Sequence, residues 1–309
     1  MGKLDGYIAD SFPFRDQLRF LRAFFIFNVL MQTDKNGLYI DAYGAGEFRA
    51  INADSVKQTA GIIRSVEKSL PEMNVYYAFI PDKNIYSNIS YPGFDPALTK
   101  QLLTGSPGMD AYTFIDLTES LSADSYYRTD LHWDQAELGG VLDSLGSVMG
   151  FTADLSLYSI ENHDEFEGVY AGQLAMPVGT DRLRYYSCQN LTVMYLNEKT
   201  MEMEPGPVYN YKNLSGFDPY DFFLYGAQPV VILENPDADT DKELYLFRDS
   251  FSSSLAPLLA SAYSKVTLID LRFIDMRTLS RVVEFKPGSD VLFLYSSQIL
   301  NNADKLLAR

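Results

Sequence analysis

A chain of 309 residues that is 47% hydrophobic and 21% charged can bury one large core, which excludes disorder as its main state. Its 41 acidic and 25 basic side chains leave a net charge of -16 with no basic run, a balance that repels phosphate backbones and excludes nucleic acid as an expected partner. One cysteine, Cys188, excludes an internal disulfide and a thiolate metal site, and no run of 18 apolar residues marks a membrane span.

In chain order, a polar lead-in precedes a helix of mixed apolar and basic character, LRFLRAFFIFNVLM at 18–31, with helix entry expected near Phe12–Pro13. Internal arginines and the lack of a small-residue cleavage pattern argue against a signal peptide there. KNGLYI at 35–40 reads as a turn followed by a strand, because Asn-Gly is a strong turn signal. Val56, Ala60, Ile63, Val66 and Leu70 recur at helical spacing over Asp54–Leu70, with Asp54 available as the N-cap. NVYYAFI at 74–80 predicts a buried strand, closed by a turn at Pro81–Lys83. Thr113–Leu117 predicts a second strand with Asp116 near its carboxyl end. After YYRTDLHW at 126–133, the apolar positions Ala136, Leu138, Val141, Leu142, Leu145 and Met149 predict a helix over 134–149.

From 151 to 240 the character changes, and the stretch reads as a β-rich insertion or cap. GVYAG at 168–172 reads as a glycine-bracketed loop, Arg184–Tyr186 and Leu191–Leu196 as short strands, and Pro205-Gly206-Pro207 as a turn. Glu234, Asp237, Asp239 and Asp241 form an acidic loop without the glycine and terminal glutamate of an EF-hand, so a solvated turn is the better reading. Beyond it, a strand at Leu244–Phe247, a turn at Arg248–Ser250, a helix over 251–263 and strands at Lys265–Leu271 and Asp290–Tyr295 follow. Their unalternating apolar pattern is that of a βαβ unit in a parallel sheet covered on both faces.

Two of these segments carry chemistry. His132 is one of two histidines, the other being His163, and Asp130 stands two residues before it. A neutral imidazole accepts a serine proton when a carboxylate fixes its tautomer. Ser250 sits where a strand passes into a helix, the place where open parallel sheets expose functional groups. The plainer readings are a helix-capping serine and a structural histidine tied to Asp130, with Trp133 packed in the core. Two distant histidines without an HExxH pattern argue against zinc.

YYRTDLHW, RDSF at 248–251 and LIDLR at 268–272 together resemble the DHHW family. That family is related to alginate O-acetylation proteins of the AlgX and AlgJ kind, which have an SGNH-hydrolase-like fold. DSFPFRDQL at 10–18, NGLYI at 36–40, YYAFIPDKNIY at 76–86 and FEGVYAG at 166–172 extend the resemblance over most of the chain. It implies an α/β protein with a three-layer α/β/α SGNH-hydrolase-like domain over 1–309, its catalytic elements in permuted order, with the β-rich 151–240 stretch inserted. Carried over by motif, Asp130 matches the triad acid, His132 the base and Ser250 the nucleophile. Arg248 and Asp249 precede the serine as in related members, Arg128 and Arg272 are orienting or structural residues of the same region, and Tyr127 faces the cleft.

The family's first histidine is Leu131 here, and the glycine that precedes Asp-Ser in ordinary SGNH blocks is Arg248. For oxyanion donors only residue type nominates Gly172, Asn301 and Gln298. The resemblance implies a serine-dependent esterase or O-acetyltransferase that acts on carbohydrate or cell-envelope polysaccharide through an acyl-enzyme. It calls for no cofactor and no metal. The partners it implies are an acylated polysaccharide substrate and an acetyl-donor envelope protein. The alternative is an inactive glycan-binding or scaffold protein that keeps the fold. The implied location is extracellular or in the cell envelope, with any export signal absent from this chain, and the cytoplasm stays open on sequence alone.

Overall fold

The computed structural model describes residues 14–89, 93–188, 190–216 and 218–307; the expected helix entry at Phe12–Pro13 lies outside them. Helix α1 (Arg15–Phe24) continues as a π-helical turn over Phe25–Val29. Asn36 and Gly37 both take positive φ, as the Asn-Gly signal requires, and lead into β1 (Leu38–Asp41), which pairs antiparallel with β2 (Gly44–Glu47). Helix α2 (Ala53–Glu67) follows, then β3 (Asn74–Ile80), with the bounds expected for that run.

The cap of α2 differs from the expectation. Asn52, in extended conformation, accepts a hydrogen bond from the Ser55 N–H, while Asp54 lies inside the first turn. An N-cap side chain accepts from an N–H two or three residues on, as Asn52 does from Ser55; Asp54 acts there only as a favourable charge.

Helix α3 (Pro96–Thr104) leads to β4, which covers only Thr113–Phe114 rather than Thr113–Leu117. Asp116 ends it by accepting the Thr118 N–H and turning the chain. The expected helix over 134–149 divides in two. Asp134 caps a 3-10 turn at Gln135–Glu137, and α4 proper spans Gly139–Met149.

Strand β5 (Ile160–Phe166) pairs with β6 (Asp181–Tyr186) in a separate antiparallel hairpin. Between them GVYAG is not a loop but the opening of α5 (Val169–Leu174), because its first N–H groups find acceptors in the 129–130 backbone and side chains. Strands β7 (Thr192–Asn197) and β8 (Glu202–Gly206) follow. Pro205 lies within β8 rather than in a turn, which is tolerated because β8 is an edge strand with one unpaired side. The acidic stretch begins within β9 (Val230–Glu234), whose last residue is Glu234.

The C-terminal part contains β10 (Glu243–Arg248), α6 (Ser252–Leu259), β11 (Lys265–Ile269), α7 (Met276–Leu279), β12 (Asp290–Ser296) and α8 (Ser297–Leu300). One eight-stranded sheet runs in the order β4-β3-β12-β10-β11-β9-β7-β8. The pairs from β4 to β11 are parallel, while β9, β7 and β8 extend the sheet antiparallel.

Alternation along the strands builds the two covering layers. Leu244, Leu246, Leu292, Leu294 and Leu268 face α4, α6 and the aromatic segment around Tyr220. Tyr245, Phe247, Val291, Phe293 and Ile269 face α2, α3 and α8. The result is a three-layer α/β/α fold. The carboxyl end of central β10 delivers Ser250 next to the loop that follows β4.

Candidate active site

The segment 126–134 folds back on itself before α4. Tyr127 N–H donates to the His132 carbonyl, Tyr126 bridges Trp133, and the Tyr126 hydroxyl bonds the Pro81 carbonyl at 2.6 Å. The tip of this hairpin carries Asp130 and His132. Asp181 clamps one side, accepting the N–H groups of Arg128 and Thr129 at 2.8 and 2.7 Å. On the other side, Val169 N–H at the start of α5 donates to Asp130 Oδ2 at 2.9 Å, and Thr129 Oγ1 accepts the Gly168 N–H.

Gly168 is there for close approach: a Cβ on it would overlap the Cβ and Oδ2 of Asp130. Beneath the tip, buried Lys83 donates to the carbonyls of Tyr127 and Asp130 at 2.6 and 3.0 Å. Burial lowers its pKa to about 8, against the pull of nearby carboxylates led by Asp130.

Within this frame three predicted residues meet. His132 Nδ1 lies 2.6 Å from Asp130 Oδ1, which also accepts the His132 backbone N–H at 2.9 Å. His132 Nε2 lies 2.8 Å from Ser250 Oγ, a contact between residues 118 apart in sequence. Burial works to raise the pKa of Asp130, but the His132 ring and the N–H groups of His132 and Val169 outweigh it and hold the carboxyl below its ordinary value. Asp130 and His132 are buried, while Ser250 is partly exposed and reachable.

The other predicted residues take different places. Asp249 faces away from His132, accepting the Phe251 N–H at 3.1 Å and the Ser296 N–H at 2.7 Å, so it ties the Ser250 turn to the end of β12. Arg248 is fully buried and donates to the carbonyls of Asp249 and Gly226 and to Ser253 Oγ. Arg272 pairs with buried Asp270 through two hydrogen bonds. Arg128 contributes backbone, its carbonyl accepting the Ala45 N–H at 2.7 Å, while its side chain is exposed. That contact requires Gly44, whose φ of +109° and lack of Cβ admit the Arg128 backbone. Tyr127 is buried against Phe166 and Tyr220, and its hydroxyl has no partner among the described residues.

Asn301 binds Ala50 and Asn52 at the start of α2, Gln298 accepts from Asn302 through its carbonyl, and the Gly172 carbonyl accepts from Arg19. None of these bonds points toward Ser250. Among the described residues the Ser250 N–H donates to no protein acceptor.

Arg248 makes a stability prediction. Burial disfavours its charge, yet its hydrogen bonds and the neighbouring Asp270 and Asp249 hold the guanidinium in place. Arg248→Met leaves the Gly226 carbonyl and the carboxylates without this cation, and the expected loss is about 3 kcal/mol. Urea unfolding checks it, and a midpoint equal to wild type would show that the cation is dispensable.

Sequence reasoning missed Tyr220. Its ring lies parallel to His132 at 3.7 Å with an interplanar angle of 2°, and its hydroxyl donates to Ser254 Oγ at 2.8 Å. A face-on aromatic fixes the ring plane. Trp133 has a related role: its indole N–H donates to the Phe251 carbonyl and Ser254 Oγ at 2.9 and 3.0 Å, joining the His132 hairpin to the first turn of α6. The signal for Trp133 was its place beside the histidine. Tyr220 had none, being one of 22 tyrosines.

No family model matches the chain, and none of the curated proteins is similar to it in sequence. Solved structures are. A DHHW family protein from Eubacterium siraeum superposes with a TM-score of 0.70 at 17% identity, over 89% of this chain and 98% of that one. The fold is that of a DHHW family protein. Bacillus cereus PatB1 with a sulfonyl adduct superposes with a TM-score of 0.67 at 15% identity, over 88% of this chain and 98% of PatB1. The O-acetyltransferase domain of Pseudomonas putida AlgJ matches more loosely, with a TM-score of 0.48 at 11% identity, over 86% of this chain and 92% of that domain. The DHHW resemblance read from the 126–133 and 248–251 segments and the likeness in fold therefore coincide.

Proposed function

We propose that this chain belongs functionally with the DHHW proteins as a serine-dependent acyl-transfer enzyme, an esterase or O-acetyltransferase acting on carbohydrate of the cell envelope. The observation that carries this reading is the relay Ser250 Oγ–His132 Nε2–His132 Nδ1–Asp130 Oδ1, with spacings of 2.8 and 2.6 Å. An inactive relic of the site has no need to keep Ser250 within reach of His132.

In the proposed reaction Ser250 Oγ attacks the carbonyl carbon of an acyl ester as its proton passes to His132 Nε2. Asp130 keeps the Nδ1 proton in place and stabilises the imidazolium. The Ser250 N–H, which has no protein acceptor among the described residues, would donate to the developing oxyanion. Collapse expels the alcohol, which takes the proton from His132 and leaves an ester on Ser250. Water or a sugar hydroxyl then gives its proton to His132 and attacks that ester, and His132 returns the proton to Ser250 Oγ as it leaves. Hydrolysis and transfer differ only in this second acceptor. An acetyl-donor protein of the envelope would supply the first ester.

Support for an addressable nucleophile comes from PatB1, whose fold this chain shares and which has been captured with a sulfonyl adduct. The test is a chromogenic acetyl ester, with phenylmethanesulfonyl fluoride as a covalent probe. Turnover that is abolished by the probe, with one sulfonyl group found by mass spectrometry on Ser250, is the expected outcome. No turnover and no label would overturn the reading.

A further inference from the structure

Helix α1 turns its apolar face outward. Leu18, Leu21 and Phe25, spaced three and four residues apart, share one face and are 49%, 58% and 50% exposed. Phe24, Val29, Leu30 and Met31 extend the exposed apolar surface, whereas Ala23 is fully buried toward the body of the protein. Arg19 and Arg22 each follow a leucine of the stripe by one residue and so run along its edge.

These two arginines stand close enough to Lys35 to act on its charge, while Lys35 itself is held by the carbonyls of Gln173 and Leu174. Across residues 15–35, four basic side chains face two acidic ones, a formal +2 in a chain of net -16. The sign of the charge is thus reversed where this helix bares its apolar side.

We propose that α1 with its π-helical extension is an interfacial helix that docks this protein on the surface of an anionic phospholipid bilayer. Leu18, Leu21 and Phe25 would enter the acyl boundary, and exposed Arg22 would meet the headgroups, while Arg19 holds the helix to the body through the Gly172 carbonyl. No helix among the described residues is long and apolar enough to cross a membrane, so this is attachment and not spanning. A second copy is the weaker occupant. Two such faces brought together would set matching arginine edges side by side, whereas anionic headgroups complement them.

The docking does not depend on the acyl-transfer reading, but it bears on it. Arg19 bonds the Gly172 carbonyl, and Phe27 packs in one cluster with Leu131 and Val169, so α1 rests on the α5 segment that supports Asp130. The leucine that replaces the family's first histidine therefore belongs to the apolar seat of this helix. A docked α1 ties the α5 segment, and with it the support of Asp130, to the lipid surface.

The experiment is sedimentation of the full chain with vesicles of phosphatidylglycerol mixed with phosphatidylcholine, against pure phosphatidylcholine. Binding to the anionic vesicles is expected to be at least about tenfold tighter, and the double substitution Leu21→Glu with Phe25→Glu is expected to remove it. Both residues are exposed, so the variant should keep the wild-type circular dichroism spectrum. Absence of binding to either vesicle, or equal binding by the variant, overturns the proposal. A dimer in sedimentation velocity that the double variant abolishes, without vesicle binding, overturns it in favour of a second copy. Ser250→Ala should bind vesicles as wild type does, so failure of docking and failure of the acyl-transfer reading are read separately.

Discussion

Ser250→Ala is expected to lower kcat on an acetyl ester by about 10⁶-fold, down to the residual rate that binding and the oxyanion donor sustain alone. The side chain removed is the one atom that His132 Nε2 contacts at 2.8 Å, and no other group of the site replaces it. Its backbone bonds within the turn remain, and the one bond lost is the contact with buried His132 Nε2. The stability change should therefore stay within about 1 kcal/mol while activity disappears. Kinetics with the acetyl ester decide the matter, and a variant within tenfold of wild type would remove Ser250 from the mechanism.

Asp130→Asn is the second large effect, at about 10⁴-fold in kcat near neutral pH. The carboxylate accepts from His132 Nδ1, from the His132 backbone and from Val169, so every contact it makes is as an acceptor. An amide turned to satisfy the two backbone N–H groups presents its own N–H toward Nδ1. This favours the tautomer with the proton on Nε2, which cannot take a proton from Ser250.

The same substitution has a stability signature whose sign follows from the lowered pKa of Asp130. The unfolded carboxyl titrates near 3.8 and the folded one lower, so the carboxylate contributes stability that is fully present above 3.8. That contribution is lost as the pH falls through the folded value. Wild type should therefore lose stability relative to the variant only in strong acid. Urea titrations of both proteins across that range measure the difference. A constant difference at all pH values would mean that the carboxyl is not held as described.

The residues that carry the relay were legible because they are rare or sit in motifs. His132 stands out in a chain with two histidines, and Ser250 follows an apolar strand and precedes a helix. Long apolar runs were legible for the same reason, and β3 and β12 lie where their hydrophobic residues put them.

What escaped was set by tertiary partners. GVYAG is helical because its N–H groups meet Thr129 and Asp130, which local pattern does not reveal. Strand β9 hides behind the acidic residues that follow it, and Pro205 signals a turn although its strand is an edge that needs no N–H there. Tyr220 reaches His132 from a short 3-10 turn without periodicity, so no spacing announces it. Burial adds a further layer: Asp218, beside Tyr220, has its pKa raised first by desolvation and then by the charge of Asp130.

Trp133 is the only tryptophan in the chain and is wholly buried between the His132 hairpin and α6. Its indole N–H is bonded to the turn that holds Ser250. The intrinsic fluorescence of this protein is thus a single-site signal, emitted from the seam where the two halves of the relay join. Separation of that seam would bring water to the indole and shift its emission to the red. Assembly of the site can therefore be followed optically, without a label, separately from the unfolding of the sheet.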